Sequence, residues 1–339
     1  MNMNPLVHNQ EIMAKTMPSE RYAGEEDFFA WQKRGRAILS GLLGLQNFEI
    51  CDECFNIESQ AECEEYKEYR FTVQSEANYY VPMVLRLPIG KKEKYPLMLC
   101  LQGHSTGMHI SLGEIKYPKD ESLISGGDRD FAKRAIEEGY AALCIEQRCF
   151  GACGSQPDGS PDCERSSLAA LMLGRTTIGE RVWDVSRAID AVEAHFADLI
   201  DCDKIYLMGN SGGGTATYYA ACIDERIRCA MPSCAVCSWA ESITAVYHCT
   251  CNYIPGIARY FDMGDLGGLI APRGLVVVNG ALDSIFRKVG VEESFEITKR
   301  LYAAAGAPDA CAHVEGPEGH RFYADLAWPV FKEIVERLK

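Results

Sequence analysis

The string Gly209-Asn210-Ser211-Gly212-Gly213 sits between the apolar run Lys204-Ile205-Tyr206-Leu207-Met208 and a small-residue helical stretch from Thr215 to Cys222. Strand, glycine-bounded turn and helix in that order are the setting in which Gly-x-Ser-x-Gly becomes a nucleophile elbow. The glycines permit the sharp turn, and backbone N–H groups at the helix start face the serine. With 30 glycines in 339 residues the string alone is weak evidence. A second one, Gly103-His104-Ser105-Thr106-Gly107, also follows an apolar run, Leu97 to Leu101. The surroundings separate them. Ser211 is followed by a proline-free helical pattern, whereas Met108 to Ser125 carries Gly113, Pro118 and Lys119-Asp120-Glu121 and reads as loop.

The rest of the chain agrees with an α/β reading. Ile178, Val182, Val185, Ile189, Val192 and Phe196 recur at helical steps ahead of the Ser211 strand, as a parallel crossover requires. Strands are expected at Tyr69–Val73, Tyr79–Leu87, Leu97–Leu101, Tyr140–Glu146, Lys204–Gly209, Arg228–Val236, Gly274–Asn279 and Cys311–Glu315, about eight in all. Helical patterns lie between them from the third onward, and Ala324 to Leu338 closes the chain. This alternation predicts a mostly parallel sheet covered on both faces. Asp27 to Leu45 is a further helical candidate, followed by the acidic stretch Glu49 to Glu65.

A hydrophobic content of 47% fits a large globular domain, and no apolar run approaches membrane-spanning length. The polar start, Met1 to Glu20, lacks a secretory pattern, so a cytoplasmic location is expected. A formal charge of −14 argues against nucleic-acid partners. Sixteen cysteines are read as reduced thiols, several of them (Cys100, Cys144, Cys229) inside core strands. Cys51-Asp-Glu-Cys54 and Cys234-Ala-Val-Cys237 lack a second pair at zinc-ligand spacing, so no metal is expected.

A serine hydroxyl needs a base in contact, and the base needs an acceptor. His320 follows the last expected strand, and Asp283 follows the one before it, which puts both on the sheet edge that carries Ser211. The chain order Ser211, Asp283, His320 is that of α/β-hydrolases. Two N–H donors should meet the developing oxyanion, and Gly212 and His104 are assigned to that task. Ser105 then becomes a loop residue. Trp239, Phe286 and His248 are assigned to the substrate pocket. Arg181 and Trp183 are read as packing beneath the active-site loops.

Gly174-Arg175-Thr176-Thr177-Ile178-Gly179-Glu180-Arg181-Val182-Trp183-Asp184, with Ser186 to Asp190, the Ser211 string, Gly268 to Arg273 and Gly280 to Asp283, resembles the acetyl xylan esterase-like branch of the α/β-hydrolases. That branch lies near dienelactone hydrolases and cephalosporin-C deacetylases. Gln102-Gly103 stands where relatives more often have His-Gly, and Glu146-Gln147-Arg148-Cys149-Phe150-Gly151 departs from Asp-x-Arg-Gly-x-Gly. The resemblance implies the α/β-hydrolase fold, the same three catalytic residues and no metal or organic cofactor. Residues 1–65 are expected to form an N-terminal helical extension packed on the hydrolase domain 66–339, and 237–270 a short lid-like insertion. The expected activity is a serine carboxylic ester hydrolase acting on a small ester, such as an acetylated sugar. A prolyl oligopeptidase-like peptidase and a non-catalytic binding protein on this scaffold are the alternatives. Self-association is left open.

Overall fold

The computed structural model describes residues 3–90 and 92–338. Its sheet comprises β1 (Asn56–Glu62), β2 (Tyr66–Glu76), β3 (Tyr79–Pro88), β4 (Tyr95–Leu101), β5 (Ala141–Ile145), β6 (Ile200–Asn210), β7 (Ile227–Ser233), β8 (Gly274–Gly280) and β9 (Cys311–Gly316). They lie in the order β1-β2-β3-β5-β4-β6-β7-β8-β9. β1 to β3 pair antiparallel, β3 joins β5 antiparallel, and every pairing from β5 to β9 is parallel.

The parallel strands read as unbroken apolar runs because both faces are covered. In β4, Leu97, Leu99 and Leu101 enter one core while Met98 and Cys100 enter the other; Ile205 and Leu207 alternate with Tyr206 and Met208 in the same way along β6. The helices Phe28–Leu43, Thr177–His195, Gly212–Ile223, Met263–Ile270 and Lys288–Ala304 contribute to the first core. Phe131–Glu137 and Ala324–Arg337 cover the second. The six residues read as the apolar stripe of the crossover helix are all buried. Thr176 caps that helix, its Oγ1 accepting the Gly179 N–H at 2.9 Å.

One strand escaped the sequence reading. All seven residues of β1 are exposed, so it has no apolar alternation, and it pairs only with β2 at the sheet edge. The sixth expected strand is also shorter than read, since β7 ends at Ser233 and Cys234 turns away with φ 48°. The first long helix runs Phe28–Leu43; the Asp27 side chain accepts the Ala30 N–H at 2.8 Å and Gly44 ends the helix at φ 81°. Trp31 of this helix is fully buried in the main core, its indole N–H donating to the Glu20 carbonyl at 2.7 Å. Among the described residues, no helix is long and apolar enough to cross a membrane.

Candidate active site

β6 delivers Ser211 to a turn that few side chains tolerate: φ is 56° and ψ −123°. The serine N–H donates to the Ser233 carbonyl and its own carbonyl accepts the Thr215 N–H, both at 2.8 Å, so strand β7 and the following helix clamp the turn from two sides. Such a conformation persists only where its surroundings over-determine it. The glycines are required by close approach. A Cβ on Gly209 would lie 2.6 Å from the Gly213 carbonyl oxygen, and one on Gly103 would lie 2.7 Å from that of Asn210. Ser105 sits in the loop after β4, buried and with no long helix behind it.

Asp283 follows β8 and His320 follows β9. His320 Nδ1 and Asp283 Oδ2 are 2.8 Å apart. Asp283 Oδ1 accepts the N–H groups of Ile285 at 2.8 Å and Phe286 at 3.2 Å, which fixes the carboxylate. Phe286 stacks on the imidazole with ring centroids 5.9 Å apart. The Asp283 side chain is fully buried, whereas that of His320 keeps about a fifth of its surface exposed. The pair therefore offers one histidine nitrogen to solvent or substrate.

Ser211, Gly212, His104, His248, Phe286 and His320 line a single cavity of about 360 Å³. Gly212 opens its helix, so its N–H has no intrahelical partner. The His104 ring packs beside it: a Cβ on Gly212 would fall 2.8 Å from His104 Nδ1. His248 holds Ser242 Oγ at 3.1 Å and meets Phe286 edge-on, and burial pulls its imidazole down to about 4. Trp239 does not reach this cavity. Its indole N–H donates to the Phe261 carbonyl at 2.7 Å, which turns the ring toward a separate cavity that Ile12 and Met13 also line. The sequence placed Trp239 in the right insertion but could not orient it.

Several lining residues were not assigned from sequence, Arg129 and Asn252 among them. Arg129 comes from the loop before Phe131–Glu137, is buried, and directs Nη2 to the His320 carbonyl at 3.4 Å. Asn252 comes from the insertion. Neither belongs to a local motif, so only the fold brings them in.

The cysteine pairs read from the sequence do not converge on a common point. Cys234 Sγ faces the Arg321 carbonyl and Cys237 Sγ that of Arg287, while Cys54 is exposed. A different set does converge: His104, Cys163, Cys249 and Cys251 bring one ring nitrogen and three sulfurs within 4.8 Å of one another. Arg181 lies against it as the packing residue expected, donating to the Arg148 carbonyl at 2.9 Å. Trp183 stacks on Phe48 and donates to the Ser75 carbonyl at 2.9 Å.

A mostly parallel sheet with a serine at a positive-φ turn after β6, a buried aspartate after β8 and a histidine after β9 defines an α/β-hydrolase. The chain belongs to the Abhydrolase family, whose model matches residues 7–325. It is 27% identical over 238 residues to YtaP of Bacillus subtilis (strain 168), assigned as a hydrolase, across 68% of this chain and 75% of that one. The fold is similar to that of a Bacteroides fragilis protein assigned as an acetyl xylan esterase, with a TM-score of 0.78, 16% identity, and 98% and 90% of the two chains covered. It is also similar to a glucuronoyl esterase of Solibacter usitatus, with a TM-score of 0.68, 15% identity, and 96% and 99% covered.

Proposed function

We propose that this hydrolase is a serine carboxylic ester hydrolase that removes a small acyl group from a sugar or another small alcohol. The observation that carries the reading is the His320–Asp283 pair at 2.8 Å, opening onto the same cavity as the strained Ser211 turn. Ser211 Oγ attacks the ester carbonyl while His320 Nε2 takes its proton and Asp283 holds the Nδ1–H tautomer. The N–H groups of Gly212 and His104 receive the negative charge of the tetrahedral intermediate. The imidazolium then protonates the leaving alcohol, and water, activated by the same histidine, releases the acid.

A cavity of about 360 Å³ suits a small ester better than a long acyl chain. Tyr247, His248, Cys249 and Asn252 form one of its walls, so residues 237–270 act as a short lid-like cover that leaves room for a bulky alcohol. The fold neighbours named for acetyl xylan and glucuronoyl esters support a sugar ester as the substrate class. The test compares hydrolysis of 4-nitrophenyl acetate by the wild type and Ser211→Ala. A fall in kcat of about 10⁴-fold or more is expected for the variant. Equal activity of the two proteins removes Ser211 from the reaction, and rates rising from acetyl to octanoyl esters overturn the small-acyl assignment.

A further inference from the structure

The convergent set beside the active site draws on three remote stretches of chain. His104 comes from the loop after β4, Cys163 from the residue before the helix Glu164–Met172, and Cys249 and Cys251 from the insertion. His104 Nε2 lies 3.2 Å from Cys251 Sγ, and all four donor atoms fall within 4.8 Å of one another. A tetrahedral ion with metal–ligand bonds of about 2.0 to 2.3 Å needs donor separations of roughly 3.3 to 3.8 Å. The four atoms already stand near that arrangement.

The alternative is a patch of thiols packed as small apolar groups. Arg181 decides against it. Its side chain is fully buried, with Nη1 3.6 Å from Cys251 Sγ and Nη2 3.7 Å from Cys163 Sγ. Its guanidinium lies 4.3 Å above the Phe150 ring, and Nε has no hydrogen-bond partner among the described residues. No carboxylate among the described residues forms an ion pair with it. A buried guanidinium beside neutral thiols would be an uncompensated charge, a strongly unfavourable arrangement. Three thiolates and one neutral histidine around a divalent cation carry a net charge of −1, which a single arginine neutralises.

We propose that His104 Nε2 and the sulfurs of Cys163, Cys249 and Cys251 bind one zinc ion in a closed, structural site that fastens the insertion to the loop carrying His104. Thiolate and neutral imidazole are the donors zinc takes, and four protein ligands leave no open position for a reacting water. On binding, the three S–H protons pass to solvent, the sulfur lone pairs become the metal donors, and no electron is transferred. Coordination through Nε2 leaves the His104 proton on Nδ1, the nitrogen beside Gly212. The ion thus holds the backbone of His104 at the cavity wall and pins Cys249, which lines the same cavity. Cys149 packs against the cluster but is not one of the four convergent donors.

The test uses the full chain purified from zinc-supplemented culture without chelators. Elemental analysis should find about one zinc per chain, falling at least tenfold in Cys249→Ser and Cys251→Ser but unchanged in Cys54→Ser, whose thiol is exposed and outside the cluster. Replacing zinc in the wild type with cobalt(II) should give the intense visible bands of a tetrahedral thiolate site, a readout that needs no variant to fold. Ser211→Ala should keep its zinc, so failure of the esterase reading and failure of the metal reading are distinguishable. Wild-type protein with under a tenth of a zinc per chain and no cobalt–thiolate bands overturns the proposal. So does a disulfide joining any two of the three cysteines in a non-reduced digest.

Discussion

Asp283 is under opposing influences. Burial pushes its carboxyl up, while the hydrogen bond and charge of His320 and the N–H groups of Ile285 and Phe286 pull it down, and the net direction is below the ordinary carboxylate range. It is therefore ionised at neutral pH and able to hold a proton on His320 Nδ1. Asp283→Asn keeps the shape but presents an amide that can donate to Nδ1, moving the ring proton to Nε2 and leaving no base for Ser211. We expect kcat on 4-nitrophenyl acetate to fall about 10³- to 10⁴-fold with KM nearly unchanged. A loss under tenfold in steady-state kinetics would mean that His320 is oriented by something other than Asp283. At this scale Ser211, Asp283 and His320 are legible in the sequence because each follows a strand end directly, within a few residues that carry glycine. Arg129 is not, since its place at the cavity depends on where a loop far from the strand edges folds back. The His104–Cys163–Cys249–Cys251 set is hidden for the same reason: only the last two donors are close in sequence, and local spacing is what a motif search reads.

The elements differ in how they announce themselves. The crossover helix Thr177–His195 shows its burial as a stripe of apolar residues, and the central strands show theirs as continuous apolar runs. All seven residues of β1 (Asn-Ile-Glu-Ser-Gln-Ala-Glu) are exposed, and its place is fixed by backbone pairing with β2 and one exposed Glu62–Lys67 ion pair, neither of which leaves an apolar pattern. The helix Phe28–Leu43 is the informative intermediate. In sequence it reads only as a helical candidate, and its weight in the fold comes from what it contacts. Gln32 Nε2 donates to the Gly268 carbonyl at 2.8 Å, and a Cβ on Gly268 would meet the Trp31 ring at 2.7 Å. The helix and the Gly268 segment are thus fitted to one another, and the family match beginning at residue 7 includes both. Trp31→Ala should cost about 3 to 5 kcal/mol, the usual range for emptying a buried aromatic site. Urea denaturation followed by circular dichroism measures it, with Trp31→Phe recovering part of the loss. A cost below about 1 kcal/mol would make the helix an appendage rather than part of the core.

For the molecule as a whole, two buried carboxyls outside the proposed catalytic residues, Glu146 and Glu180, are each pushed up to about 7 by burial, and Glu146 can be tested separately. Glu146 follows β5 and is buried. Its Oε1 accepts the Met108 N–H at 2.9 Å and its Oε2 the Ala152 N–H at 3.2 Å, tying the loop after β4 to the loop after β5. Burial pushes this carboxyl from 4.5 up to about 7, against the smaller downward pull of those two N–H groups. The folded protein consequently holds the Glu146 proton at pH values where the unfolded chain has released it. Stability from this group is complete below 4.5, declines as pH rises, and is lost by the time pH has passed about 7. The ionisation cost at pH 8 is on the order of 3 kcal/mol. Glu68, Glu138 and Asp224 run the other way: their arginine and lysine partners hold them low against burial, so their contribution is lost only in stronger acid. Between pH 5 and 8 the difference between wild type and Glu146→Gln should therefore isolate the one carboxyl. Wild-type unfolding free energy should fall across that window by about 2 to 3 kcal/mol more than that of the variant. Raising the salt should leave the difference in place, because a buried ionisation is screened far less than the surface charges behind the net −14. Parallel pH profiles for the two proteins would mean that Glu146 is solvated on folding and that the two loops are held together without it.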